Sequence, residues 1–178
     1  MSAGNIFIEE TIKSFKGLKS NVEKALEQLS DSEMHWAINE ESNSIAIIIK
    51  HCAGNMISRW TDFLTTDGEK ENRHRDGEFV DEFKSRYELM NYWNKGWKIC
   101  LDSLSSLTEN DLTQTIYIRQ EPHTVVRAMQ RGLAHIAYHC GQIVYVAKQI
   151  KGADFKSLSI PRGESSKYVK EPPKSAAP

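Results

Sequence analysis

Apolar residues at Ile8, Ile12, Phe15, Leu18, Val22, Leu26 and Leu29 recur every three or four positions, the spacing of one buried stripe on an α-helix. The segment "SDSEMHWAINEESNS" breaks this period with residues suited to caps and turns. From Ser44 the stripe restarts at Ile45, Ile48, Ile49, Cys52, Met56, Trp60 and Phe63, which predicts a second helix. The polar run "DGEKENRHRDGE" follows, with two glycines; it predicts a loop long enough to cross the molecule rather than merely turn. Val80, Phe83, Tyr87, Met90, Trp93, Trp97, Leu101 and Leu104 place a third helix. A fourth runs from about Pro122, a residue suited to a helix entrance, to Ile150. Between them Thr115–Arg119 alternates briefly, as a short extended piece would. The pattern predicts an all-α fold, a four-helix bundle with a long crossover between its second and third helices. The bundle is expected over residues 1–152, with a Pro-, Ser- and Lys-rich extended C-terminal arm over 153–178.

Composition narrows the function classes. The chain has 178 residues, 39% hydrophobic and 26% charged, enough to bury a core without staples. Its formal net charge of −1, with basic and acidic residues interleaved, gives no reason to expect nucleic acid or an anionic membrane as partner. A small molecule is the better expectation. The longest uncharged run, Gly132–Ala147, is too short to span a bilayer. The start, "MSAGNIFIEETIK", carries no secretory pattern. Cys52, Cys100 and Cys140 form no C-x-x-C motif and sit in apolar segments, as reduced core cysteines of a cytoplasmic protein do.

Candidate chemistry lies in "LAHIAYHCGQIVYV". His135 and His139 are four residues apart, so on a helix they project side by side, about 40° apart around the axis. They fall on the rim of the apolar stripe formed by Met129, Gly132, Ile136, Cys140 and Ile143. His51 occupies the matching shoulder of the second helix, between Lys50 and Cys52. Such rim histidines are either ligands to a shared cation or core-edge rings satisfied by neighbouring groups. Cys52 and Cys140 point about 100° from the adjacent histidines and read as core packing. Trp93 and Trp97 read as core or pocket wall, and His35, His74 and His123 as solvent-facing. No H-E-x-x-H motif occurs, and the E-x-x-H at Glu71–His74 falls in the polar loop, which leaves a mononuclear site.

In "SIAIIIKHCAGNMISRWTDFL" and "AHIAYHCGQIVYVAK" the chain resembles the DinB-like (DinB/YfiT) metalloenzyme superfamily, in a Bacillus-type bacterial branch without assigned function. The resemblance spans nearly the whole chain. It implies a metal triad of His51, His135 and His139, a four-helix bundle, and a homodimer. Relatives that transfer or isomerise groups with low-molecular-weight thiols imply a thiol as substrate. The crossover departs from the branch pattern, reading "NRHRDGEF" with His74 intruding, which leaves any role of Arg75 and Asp76 open.

Three neutral imidazoles would leave one divalent ion, zinc, nickel or iron, with an open position to activate a thiol or water. Asn55, one turn after His51, and Gln142, two turns after His135, are candidates to orient a ligand or the bound molecule. No catalytic general base stands out. The expectation is a metal-dependent transferase or hydrolase. The alternative is a non-catalytic stress-response or small-molecule-binding protein whose metal site is structural or vestigial.

Overall fold

A computed structural model describes residues 1–167; the remainder of the expected C-terminal arm, 168–178, lies outside the described residues. The described residues are mainly helical, with five α-helices and one two-stranded antiparallel hairpin. Four helices are long: α1 (Ala3–Leu26), α3 (Ile45–Trp60), α4 (Arg86–Ser105) and α5 (Val125–Lys151). The fifth, α2 (Asp31–Met34), is a single turn inside the segment read as a connection.

Each start follows local chemistry. Ser2, Ser44, Ser85 and Thr124 sit in extended conformation, and each side-chain oxygen accepts a backbone N–H from the first turn. Ser30 and Glu33 form a reciprocal capping box, which is why so short a helix as α2 holds. Gly152, at φ +53°, ends α5 in a conformation that a Cβ disfavours.

Three expected boundaries are corrected. The third long helix starts at Arg86 rather than Val80, because Ser85 supplies the cap; Val80 is 55% exposed and belongs to the crossover. The second stops at Trp60, since Asp62 adopts φ +48°, so buried Phe63 packs from beyond its end. Pro122 does not open the fourth helix. It lies in strand β2 (Glu121–Thr124), paired with Tyr117 of β1 (Thr115–Ile118), where a two-stranded ribbon tolerates its missing N–H.

The long helices pack α3 on α4 and α1 on α5, with α1 also meeting α4 and α3 meeting α5. Phe15 of α1 sits at their centre, edge-on to Trp60 at 5.9 Å and to Trp97 at 6.2 Å between ring centroids. Trp93, Trp97, Cys52, Cys100 and Cys140 are all buried in this core, and the three thiols are free. No described helix is long and apolar enough to cross a membrane.

Residues 61–85 form the crossover from α3 to α4. It carries one 3-10 turn, Asp76–Phe79, which packs back on α3. A second tie fixes the β1–β2 hairpin to the crossover. Its two turn residues, Arg119 and Gln120, have φ of +57° and +63°, a primed turn normally built from Asn, Asp or Gly. The Asp67 carboxylate compensates by accepting both turn amides, from Arg119 at 2.8 Å and Gln120 at 2.7 Å.

Candidate metal centre

Helix α3 delivers His51, and α5 delivers His135 and His139 one turn apart. The three rings converge: centroids lie 5.3 Å apart for His51–His135, 4.8 Å for His51–His139 and 4.6 Å for His135–His139. Each offers one ring nitrogen, and all three nitrogens lie within 4.8 Å of one another. His51 is buried and the other two are half-buried.

Hydrogen bonds on the far side of two rings decide which nitrogen faces inward. His51 Nδ1–H donates to Glu78 Oε2 at 2.9 Å, which turns Nε2 toward the cluster. His139 Nδ1–H donates to Gln142 Oε1 at 2.8 Å, with the same consequence. His135 presents Nε2 to His51 Nε2 at 3.3 Å, while its own Nδ1 is buried without a partner. That separation is long for a ring N–H bond, whose mode is about 2.9–3.0 Å. It matches the roughly 3.3 Å between two nitrogens that each sit about 2.0–2.1 Å from a tetrahedral ion. The three histidines are therefore positioned to hold a metal ion.

Electrostatics keep the two α5 donors neutral. Burial pushes His135 down to about 3, with His139, His51, Arg73 and Arg59 adding to the shift. Burial also lowers His139; the Gln142 bond opposes this and His51 reinforces it. At neutral pH these two imidazoles hold lone pairs, as ligands require. Cys52 and Cys140 make poor ligands by the same physics. Burial raises Cys52 well above the ordinary thiol range, and lifts Cys140 to about 12.

Glu78 is the residue that sequence reasoning missed. It sits in the 3-10 turn of the crossover, 5% exposed, with its carboxylate clamped by Arg73: Nε donates to Oε1 and Nη2 to Oε2, both at 2.8 Å. Burial raises its pKa, but the bonds from Arg73 and then His51 outweigh this and hold it below the usual carboxylate range. The clamp reaches α3 through Gly54. A Cβ there would lie 2.6 Å from Glu78 Oε1, so only glycine admits the carboxylate this close to the helix. Phe79, next in the turn, stacks on His51 at 4.9 Å with planes 26° apart. A glycine one turn from His51, inside a buried stripe, was the only trace of this contact in the sequence.

Of the two polar candidates, Gln142 lies on the far nitrogen of His139, and Asn55 lies in the wall of an adjoining cavity. That cavity has a volume of about 270 Å³ and is walled by His51 and His135 together with Trp60, Phe63, Ala128 and Gly132. Arg75 also borders it, whereas His74 is exposed and accepts the Gly77 amide through Nδ1 at 3.1 Å. His35 and His123 are half-exposed and are not part of the cluster; His35 Nδ1 pairs with Asp81 at 2.7 Å.

A family profile described as "Protein of unknown function (DUF1572)" matches residues 2–164. The chain belongs to the DUF1572 family. No curated protein matches it. The DUF1572 match covers all five helices, the crossover and the hairpin, so every residue of the histidine cluster and its clamp lies within the family region.

Proposed function

We propose that His51, His135 and His139 hold one divalent ion, zinc, nickel or iron, and that the protein is a metal-dependent enzyme acting on a small molecule. One observation carries the reading: three imidazole donors from two helices meet within 4.8 Å. Their two outer partners, Glu78 and Gln142, reproduce the carboxylate and amide support that fixes ring tautomers at metal sites. A divalent ion with three neutral ligands keeps its full charge and would lower the pKa of a thiol or water brought to it. The chain's own residues do the rest. Glu78 holds the His51 proton at Nδ1, Gln142 holds that of His139, and Trp60 and Phe63 limit water in the cavity.

The cavity against His51 and His135 supports an open, catalytic site over a closed, structural one. Kinship with the DinB-like superfamily, a four-helix bundle over 1–152 with a Pro-, Ser- and Lys-rich C-terminal arm over 153–178, and homodimerisation belong to the same proposal. So does a low-molecular-weight thiol as co-substrate in group transfer. Three buried free thiols support a reducing, cytoplasmic setting.

The test is cobalt substitution followed by turnover. Cobalt-loaded protein is expected to show intense tetrahedral visible bands that shift when a thiol is added. The zinc form is expected to consume thiol in the presence of an electrophile such as chlorodinitrobenzene. Bands that ignore thiols, together with no turnover for any loaded metal, would leave a structural ion only.

A further inference from the structure

The cavity beside the histidines has a second chemical character. Arg59, Arg75, Arg119 and Arg131 all border it, and no Asp or Glu does among the described residues. The chain as a whole carries a net charge of −1, so this concentration of positive charge is local.

Most of that charge is left without a carboxylate of its own. Glu69 Oε2 accepts from Arg59 Nη2 and from Arg119 Nε, each at 3.1 Å. The same carboxylate also takes Arg73 Nη1, at 3.3 Å to Oε1. Glu69 is thus shared by the cavity's Arg59 and Arg119 and by Arg73, whose own bidentate partner is Glu78. Arg59 Nη1 is buried with no partner at all. Burial lowers the Arg59 pKa; Glu69 opposes this, and Arg73, Arg119 and Arg131 push it further down. Arg131 Nη1 lies 3.3 Å from His123 Nε2, and neither Arg131 nor Arg75 joins an ion pair among the described residues.

Backbone geometry gives an independent reason to regard the arrangement as functional. Arg119 reaches the cavity from the hairpin turn, at φ +57°, where a non-glycine residue is strained. The turn persists because Asp67 accepts both of its amides. Its guanidinium thus stands in the cavity wall from a position that ordinarily favours Asn or Gly.

We propose that this cavity holds its small-molecule substrate by an oxyanion group, a carboxylate or a phosphate, received by Arg59, Arg75, Arg119 and Arg131. Planar guanidinium forks match both groups with paired N–H donors, which lysine does not. About nine water molecules, at roughly 30 Å³ each, would fill the volume, so the ligand is metabolite-sized. The anion would sit in the same chamber that His51 and His135 wall, which makes it part of the reactant. This deepens the metal-enzyme reading and rests on it only for calling the bound anion a substrate.

Calorimetry at low ionic strength tests it, using succinate, inorganic phosphate and uncharged succinamide as probes on metal-free and zinc-loaded protein. Succinate or phosphate is expected to bind the metal-free protein, and succinamide is not. Arg131→Ala and Arg75→Ala break no ion pair, so both are expected to fold; each should weaken anion binding about tenfold or more. Tighter phosphate binding identifies a phosphoryl group, tighter succinate binding a carboxylate. Neither anion exceeding succinamide, or both variants binding as wild type does, overturns the proposal. Anion binding by a protein that takes up no zinc sinks the metal reading and leaves the anion site standing. Zinc uptake without anion binding does the reverse.

Discussion

Replacing Glu78 by alanine separates two effects that the structure ties together. The carboxylate closes an ion pair with Arg73 in which the side chains are 7% and 4% exposed. Removing one partner of a buried pair costs about 3–5 kcal/mol. Arg73 keeps Glu69 at 3.3 Å, so the lower end, about 3 kcal/mol, applies. For a chain of this size that is a fall of about 6–12 °C in Tm, from about 2–4 °C per kcal/mol. His51 also loses the acceptor that keeps its proton on Nδ1, and loss of such a partner weakens metal binding about 10–100-fold. Zinc competition calorimetry reads the second effect and thermal unfolding the first. Arg73→Ala is the companion variant. It removes the ion pair but leaves Glu78 on His51, so it should lower Tm comparably with a smaller loss of zinc affinity. Unchanged zinc affinity in Glu78→Ala would refute the claim that the crossover orients His51.

Gly54→Ala should weaken zinc binding by about tenfold through the same carboxylate. The new Cβ falls 2.6 Å from Glu78 Oε1 and 3.2 Å from Tyr92 Oη, although alanine favours the helix itself by about 0.5–1 kcal/mol. Wild-type affinity in this variant would show that the contact does not matter. Gln120→Gly should raise stability by about 0.5–1 kcal/mol, or about 1–4 °C, because glycine relieves the left-handed turn at some unfolded-state entropy cost. Differential scanning calorimetry checks it, and a lower Tm contradicts it. Asp67 supplies a pH dependence. Burial raises its pKa, but amides from Glu69, Gln120 and Arg119 outweigh this, and the net value falls below 3.8. A depressed carboxylate stabilises the fold above its unfolded pKa, and that contribution disappears as pH falls through the folded value. The Tm gap between wild type and Asp67→Asn should therefore be full at pH 6 and close toward pH 2. A gap that stays constant across this range contradicts the assignment.

The helical stripes were legible because core contacts repeat every turn. Phe15, Trp60 and Trp97 could be placed in the core from spacing alone. His135 and His139 were legible for the same reason, since four residues bring two side chains to one face, and His51 stood on the shoulder of its own stripe. Glu78 was not legible. It reaches His51 through a polar crossover with no period, and a carboxylate in such a run normally reads as solvated. Val80 and Phe83 extended the third stripe by accident, while the cap at Ser85 decided where the helix begins. The hairpin was hidden by its turn: Arg119–Gln120 lacks the Asn or Gly that signals a primed turn, and the compensating Asp67 lies far away in sequence. The basic cavity was hidden by averaging, because a near-zero net charge says nothing about four arginines gathered around one chamber.

Metal content measured by mass spectrometry on tag-free protein, alongside His135→Ala, tests the central claim most directly. The expected result is one divalent ion per chain in the wild type and none in a folded His135→Ala variant. A wild-type protein that binds no divalent ion when zinc, nickel and iron are supplied, or a variant that keeps its full complement, contradicts the three-histidine centre.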